Sequence, residues 1–403
     1  MTETRESVRP VPRWLHAWAV LTVLVTLVLL VLGQFVTSFR AGMADPIWPT
    51  EPWYLFVVGW QEPNRGYLIE HSHRIAGFLV GGLMSVLVLG LWWADPLRWV
   101  GLGALVVMLA AFGEFHRGLI AQRFATDVTL PVGPLVVMLA ALGTVLALGI
   151  AGLASGVVRG SGLRLFGVIT LVAVMIQGLL GGFRVRLDAL FGPELAPIHG
   201  IFAQVVFCLL VSLAVLTGRP IATDLPTPSR RLLSRLSLAL VGLLFVQLIW
   251  GAMVRHAPNA LNQRLHLLTA FLAVALAVWL IRVGFTTAAR PRVAFTGWVL
   301  GLLIALQVGL GVEAWMGKFG EEARAGQSAA SYLPESAAVS RQQAVMRTAH
   351  TLVGTGVFAA AVVFALRVRS RSPIERNTNL PGEAAWDRIP APEPAFALTG
   401  KSP

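Results

Sequence analysis

The chain has 403 residues, of which 56% are hydrophobic and only 13% are charged. Soluble globular proteins carry about 25% charged residues, so a soluble globular fold is excluded. The formal net charge of +12 does not indicate nucleic-acid binding, because the arginines lie between apolar segments rather than on one basic face. Arginines in that position normally report membrane orientation. The composition predicts an all-α polytopic membrane protein.

Apolar segments long enough to cross a bilayer, about 20 residues each, recur along the whole chain. The first exceeds the length of a signal-peptide core and lacks a small-residue cleavage site, which predicts a retained helix. The single cysteine, Cys208, lies inside a span and is interpreted as a small core residue. We predict about ten transmembrane helices, near residues 14–36, 67–92, 98–117, 132–155, 163–185, 195–217, 232–253, 262–283, 294–316 and 346–367.

The loops between these spans alternate in character. One set is short and rich in arginine, and the positive-inside rule places it in the cytoplasm together with both termini. The cytoplasmic segments then include residues 1–13 and a linker over 218–231. The longer loops 37–66 and 317–345 face the opposite side, and the polar, proline-rich tail 372–403 is predicted to be disordered.

Four of the eight histidines share one context. His73, His199, His266 and His350 each lie near the start of a span that begins on the extracytoplasmic side, and each is followed four residues later by glycine or alanine. Residues i and i+4 share a helix face, so the small neighbour leaves room for a flat ring or for a close helix crossing.

Imidazoles at one depth on several helices point to a metal cofactor. Ionisable groups within spans are functional candidates, and histidines on facing helices hold haem iron from both sides. Four such histidines predict two pairs and therefore up to two haem sites. The alternative is that each histidine is an interfacial residue hydrogen-bonded to a neighbour.

A second motif interleaves with the histidines. Three spans contain Gln-x-x-x-Gly near their extracytoplasmic ends, and each directly precedes a histidine-bearing span. The alternation indicates internal duplication. The three motifs are Gln177/Gly181, Gln247/Gly251 and Gln307/Gly311.

The first histidine segment also carries an acid. In Glu70-His71-Ser72-His73-Arg74, helical spacing puts Glu70, His73 and Arg74 on one face, whereas His71 faces elsewhere. A carboxylate beside a haem ligand could accept a proton or position a reacting group. The alternative is an ion pair with Arg74 at the membrane interface. No other histidine-bearing span begins with an equivalent acid, so we expect two unequal sites.

The other polar residues carry weaker hypotheses. His16 is interpreted as interfacial, and His116, within Glu-Phe-His-Arg, as a possible third metal ligand. Arg255 either meets a haem propionate, which suits arginine, or is an ordinary loop charge.

These residues together resemble the haem A synthase family. The resemblance covers the chain from the first span to the last except for about 95–160. It rests on TSFRAGMADPIWP at 37–49, EHSHR at 70–74 with Gly77, QGLLGGFRV at 177–185, IHG at 198–200, GAMVRH at 251–256, RLH at 264–266, LQVGLG at 306–311 and TAH at 348–350.

The resemblance implies two pseudo-symmetric four-helix bundles, over 14–217 and 232–371, with an inserted helical pair at about 95–160. In the family the first bundle holds the substrate haem between two histidines beside an essential glutamate, which by motif are His73, His199 and Glu70. The second holds a resident haem b, which would fall to His266 and His350. The implied reaction oxidises the C8 methyl group of haem O to a formyl group, giving haem A for terminal oxidases.

The resemblance also implies a setting. The protein would lie in the cytoplasmic (inner) membrane, with its haem sites toward the extracytoplasmic side. Its partners would be the lipid bilayer and haem O, and the resemblance also suggests haem O synthase and terminal oxidase assembly factors. Many bacterial members carry a cysteine pair in the first extracytoplasmic loop, whereas loop 37–66 has none, which excludes a thiol-based role for that loop.

Two rival functions remain open from the sequence. A di-haem electron carrier of cytochrome b type would use the same two histidine pairs without a substrate haem, and only the one-sided Glu70 favours the enzyme. A transporter would be expected to have helices broken by Gly and Pro at mid-membrane, whereas the polar residues here lie near one surface.

Overall fold

The computed structural model describes residues 11–39, 41–42, 44, 48–49, 56, 65–93, 95, 97–125, 129–155, 160–186, 195–218, 226–317 and 341–369. Within these ranges the chain is all-helical, and ten helices are long and apolar enough to cross a membrane. This confirms the predicted all-α polytopic membrane protein. The helices are α1 Arg13–Ser38, α2 Arg65–Trp92, α3 Arg98–Ala121, α4 Val132–Ala154, α5 Ser161–Arg186, α6 Leu195–Thr217, α7 Thr227–His256, α8 Ala260–Thr286, α9 Arg290–Trp315 and α10 Arg341–Arg369.

Most helices extend a few residues beyond their apolar segments. Helix α7 begins at Thr227, inside the predicted linker 218–231, and α10 begins at Arg341 rather than near 346. Polar side chains at these ends reach water while the backbone continues its hydrogen bonding. Pro12, Pro131 and Pro226 immediately precede α1, α4 and α7, where a residue without an N–H costs no helical hydrogen bond.

Eight of the helices form two closed rings of four. In the first ring α1 packs on α2, α2 on α5, α5 on α6, and α6 back on α1. In the second, α7, α8, α9 and α10 pack on one another in the same cyclic order. Each ring has its own apolar core, centred on Met84, Leu87 and Leu210 in the first and on Leu240, Leu280 and Phe364 in the second.

The two rings meet through α1, α6, α7 and α10. Contacts join α1 to α10, α6 to α10, and α6 to α7. A third apolar cluster, which includes Leu30, Phe207 and Phe358, fills this boundary. Two polar contacts also cross it, because Ser38 Oγ lies 2.8 Å from Thr348 Oγ1 and Thr355 Oγ1 donates to Gln204 Oε1 at 2.5 Å.

The predicted inserted pair is α3 and α4, which pack on each other and against the outside of the first ring. Helix α3 contacts α2, and α4 contacts α5. A buried ion pair connects the residue Asp95, which lies between α2 and α3, to α5, with Arg164 Nη2 lying 2.9 Å from Asp95 Oδ2. Asp95 Oδ1 also accepts from the Leu97 backbone N–H at 2.7 Å.

Large apolar side chains cover the outside of the assembly. Phe271, Phe295 and Leu302 are 73%, 74% and 72% exposed. Such a surface suits lipid rather than water, because exposed apolar patches of this extent are rare on soluble proteins. The chain is therefore a multi-pass membrane protein.

Candidate functional site

The four predicted histidines lie near the starts of four helices, two in each ring. His73 is on α2 and His199 on α6 of the first ring, while His266 is on α8 and His350 on α10 of the second. All four are partly buried. The histidine ends of the two rings lie on the same side of the molecule, because Ser38 at the end of α1 contacts Thr348, two residues before His350.

The second-ring histidines face each other. The ring centres of His266 and His350 are 6.4 Å apart, and their planes are crossed at 79°. Two imidazoles bound to opposite sides of one metal ion would have centres roughly 6.2 Å apart. Each metal–nitrogen bond is about 2.0 Å, and each nitrogen lies about 1.1 Å from the centre of its imidazole. In addition, Nδ1 of each ring is buried without a hydrogen-bond partner among the described residues. This pair could therefore hold a metal ion between its rings.

The first-ring histidines are also brought together. His73 and His199 lie within electrostatic range of each other, and both lie within range of Arg184 near the end of α5. Arg184 was not singled out by the sequence. Its guanidinium would be 3.1 Å from a side chain built at Gly42, so it reaches back over the end of α1.

Each of the four imidazoles packs edge-on against a glycine of the helix that precedes its own helix in the same four-helix ring. A Cβ built at these glycines would lie only 2.8 to 3.2 Å from Cε1 of the ring, closer than ordinary contact allows. The four contacts are Gly33 with His73, Gly181 with His199, Gly251 with His266, and Gly311 with His350.

The three motif glutamines contact the same rings. Gln177 Nε2 lies 3.1 Å from His199 Nδ1, Gln247 Nε2 lies 3.4 Å from His266 Nε2, and Gln307 Nε2 lies 3.3 Å from His350 Nε2. The motif that indicated duplication in the sequence is thus a histidine-contacting unit, with the glycine and the glutamine on one helix and the ring on the next.

The first unit departs from this pattern. Helix α1 carries Gly33, but Leu29 stands four residues earlier where the other units have glutamine. His73 instead has its Nδ1 at 3.2 Å from the Leu29 backbone oxygen. The sequence motif could not reveal this unit, because only the glycine remains.

The imidazoles of His73 and His350 pack against Gly33 and Gly311 rather than against the glycines four positions later on their own helices. The space beside Gly77 is open, and Gly354 accommodates the amide of Gln307, 3.0 Å from a built Cβ. The predicted room beside the i+4 residue is therefore present at Gly77, and at Gly354 it is taken by a side chain of the neighbouring helix α9. Helical side chains lean toward the N-terminus of their helix, so the rings point away from that neighbour.

The predicted acid lies one turn before His73. Glu70 is 4% exposed, and its Oε1 accepts from Arg74 Nη2 at 2.8 Å. The ion pair considered as the alternative is therefore present, and both of its side chains are largely buried. A buried carboxylate is costly unless it is paired, so Arg74 allows the acid to lie beside the first pair.

Three other histidines lie away from both pairs. His71 is fully buried and stacks on Tyr67 with ring centres 5.2 Å apart, as its opposite helix face predicts. His16 contacts Thr217 Oγ1 at 3.3 Å, at the far end of α6. His116 on α3 packs edge-on against Phe78 at 6.0 Å. Among the described residues no three His, Cys, Asp or Glu side chains gather in one metal-binding group.

Arg255 crosses between the rings. It donates to Gln34 Oε1 at 2.8 Å and to Ser38 Oγ at 2.9 Å, both on α1. It therefore connects the end of α7 to the first ring, a position that neither sequence hypothesis foresaw. A polar cavity of about 200 Å³ lies near His350 and is lined by Glu313, Gln343 and Arg347 among others.

No family model matches this chain, and the comparisons with curated proteins and with solved structures give no match.

Proposed function

We propose that this chain is a haem-modifying oxidoreductase of haem A synthase type. The observation that carries the proposal is the arrangement of two histidine pairs at one end of two equivalent helix rings; among the described residues, a buried acid lies beside the first pair, whereas the acid near the second pair, Glu313, is exposed. Two histidine pairs with the same surroundings would be expected of a protein that only transfers electrons. An acid at one pair supplies that site with a group that can take part in proton transfer.

The second pair suits a resident cofactor. The 6.4 Å separation of His266 and His350 matches two imidazoles on one iron, and the site lies in an apolar helix bundle. A haem b held there would supply one-electron transfer. Its protein ligands would be His266 and His350, each held between a glycine and a glutamine amide.

The first pair suits the substrate. His73 and His199 would hold haem O, and Glu70 lies one turn from His73 on the same face of α2. Oxidation of the methyl group with water as the oxygen source, R–CH₃ + H₂O → R–CHO + 4 H⁺ + 4 e⁻, would release four electrons, which a haem b at the second pair would pass singly to an external electron acceptor. Glu70 would accept a proton from the reacting group or its attacking water, and Arg74 fixes the orientation of the carboxylate through their 2.8 Å contact.

The membrane setting completes the proposal. The arginine-rich loops lie at the helix ends opposite the histidines, and the positive-inside rule puts those ends in the cytoplasm. Both termini would then be cytoplasmic and both haem sites would face the extracytoplasmic side of the inner membrane. Haem O synthase and terminal oxidase assembly factors are the proposed protein partners.

The test is haem extraction and chromatography from cells that make haem O, with and without this chain. We expect haem A or its hydroxylated intermediate to appear with the wild type and to disappear with Glu70→Gln. Glu114→Gln is the matched control, because Glu114 forms a similar ion pair with Arg117 at 2.5 Å but is exposed on α3. Its product yield should equal that of the wild type.

The alternative function is a di-haem electron carrier, and the same experiment separates the two. If haem b co-purifies in two equivalents while haem O is never converted, the synthase proposal fails and the carrier is favoured. Two imidazoles in edge-to-face contact without a metal ion also have centres about as far apart as the 6.4 Å between His266 and His350, so the haem content of the purified chain has to be measured. Absence of haem from the purified chain would refute both functions.

A further inference from the structure

One arginine at the first histidine pair has no acidic partner among the described residues. Arg184, near the end of α5, is partly buried and lies within electrostatic range of both His73 and His199. Its guanidinium packs close to Gly42, since a Cβ built there would be 3.1 Å from Nη2. No ion pair joins Arg184 to a carboxylate in the described part of the chain. Because taking a charge out of water is costly unless an anion compensates it, this position favours an anionic ligand.

Arg184 occupies a position that recurs in the histidine-contacting helices. It follows Gly181 by three residues and Gln177 by seven, so all three share the face of α5 that meets His199. With a rise of 1.5 Å per residue, Arg184 lies about 4.5 Å nearer the C-terminal end of α5 than Gly181 does. The residues three places after the other ring-contacting glycines are apolar, namely Val36, Val254 and Ala314. A cation at this position is therefore specific to the first pair.

The charges around the first pair suit a ligand with a carboxylate. Arg74 is compensated by Glu70 through their 2.8 Å contact, whereas none of the described carboxylates compensates Arg184. A haem carries its carboxylates on the propionate side chains, and arginine binds carboxylates through two parallel hydrogen bonds. We propose that Arg184 binds a propionate of the haem at the first pair and so directs the propionate edge of the porphyrin toward the end of α5. This inference rests on the proposed function, since it names a substrate contact at the same pair.

The competing partners are less well placed. Arg255, which the sequence suggested for a propionate, donates instead to Gln34 and Ser38 on α1. A phosphate of a lipid headgroup is the other anion available to an arginine at a helix end. The range of Arg184 to both imidazoles favours the propionate over the phosphate, and the experiment separates the two.

The experiment is a spectrophotometric titration of the purified full-length chain with haem b and, separately, with haem b dimethyl ester, whose propionates carry no charge. The haem signal that belongs to the first pair is identified as the one lost in His199→Ala. At this pair we expect the wild type to bind haem b about tenfold more tightly than the ester. Tenfold is near the lower end of the range for a hydrogen bond to a charged group, because Arg184 is partly exposed to solvent. Arg184→Gln should abolish this preference.

Arg264→Gln is the matched control, because Arg264 is an exposed arginine near the start of α8, two residues before His266 of the second pair. It should keep the wild-type preference at the first pair. If Arg184→Gln does not fold, Arg184→Lys takes its place and should show a smaller preference than the wild type, since an ammonium group cannot form the paired hydrogen bonds.

Two results would overturn the inference while leaving the proposed function intact. One is equal binding of haem b and its ester by the wild type at the first pair. The other is an unchanged preference in the variants of Arg184, which is the result expected if a lipid phosphate is its partner. If no haem signal responds to His199→Ala, the first pair holds no haem and the proposed function falls with the inference.

Discussion

Alanine at the ring-contacting glycines should displace the histidines in a graded way. A Cβ at Gly33 would lie 2.8 Å from His73 Cε1, about 0.6 Å short of ordinary contact, whereas at Gly251 the distance to His266 Cε1 is 3.2 Å. Overpacking of this kind costs about 1–3 kcal/mol. The gain from replacing a helical glycine by alanine is about 1 kcal/mol, so we expect a net loss at Gly33 and near balance at Gly251.

The assay is haem content per protein after purification, together with the thermal unfolding temperature in detergent. Gly33→Ala should lower haem affinity at the first pair about tenfold, which corresponds to roughly 1.4 kcal/mol. Gly251→Ala should lower affinity at the second pair by about threefold or less. Gly242→Ala on α7 is the control, because nothing lies within 4 Å of its built Cβ. Equal haem content in Gly33→Ala and Gly242→Ala would refute the reasoning.

Three further predictions concern stability and access. Asp95→Asn should lower the unfolding temperature by several degrees, because it leaves the charge of Arg164 without its partner. The side chains of Arg164 and Asp95 are only 6% and 10% exposed, and breaking a buried ion pair costs about 3–5 kcal/mol. An unchanged melting curve would contradict this prediction. Arg255→Ala removes two hydrogen bonds to α1, each worth about 1.5–3 kcal/mol when one partner is charged. It should lower the unfolding temperature in detergent by more than Arg264→Ala does, and equal melting curves would contradict this. The thiol of Cys208, which is 7% exposed, should resist a membrane-permeant maleimide in the folded protein and react only after denaturation, as mass spectrometry would show.

Local patterns predicted the ten helices well, and they placed the four histidines near the starts of their helices. A span is defined by a continuous apolar segment, and a residue near its start lies near the membrane surface wherever the helix packs. For the same reason His73 and Glu70 could be placed on one helix face, and His71 on another, before any contact was known.

The contacts between helices could not be predicted in the same way. The contacts between the glycines and the imidazoles join residues on different helices. Which residues meet depends on how the four helices of each bundle pack on one another. Gly33 gave no motif signal, because Leu29 replaces the glutamine that marks the other units. Spacing along one helix placed Gly77 on the face of His73, but it does not give the direction in which the imidazole leans, so it could not show that the imidazole packs against Gly33.

The position of α3 and α4 has a consequence for how molecules dissolved in the bilayer can reach the first histidine pair. Of the four seams between neighbouring helices in the first ring, the inserted pair covers the one between α2 and α5, and the second ring covers the one between α6 and α1. Among the described helices this leaves the α5–α6 seam and the α1–α2 seam facing lipid. The α1–α2 seam contains a groove of about 360 Å³ lined by Val25, Ser72 and Leu79, among others. Among the described helices the second ring has no inserted pair and keeps three such seams. The two histidine pairs therefore differ in their routes of access from the bilayer as well as in their chemistry.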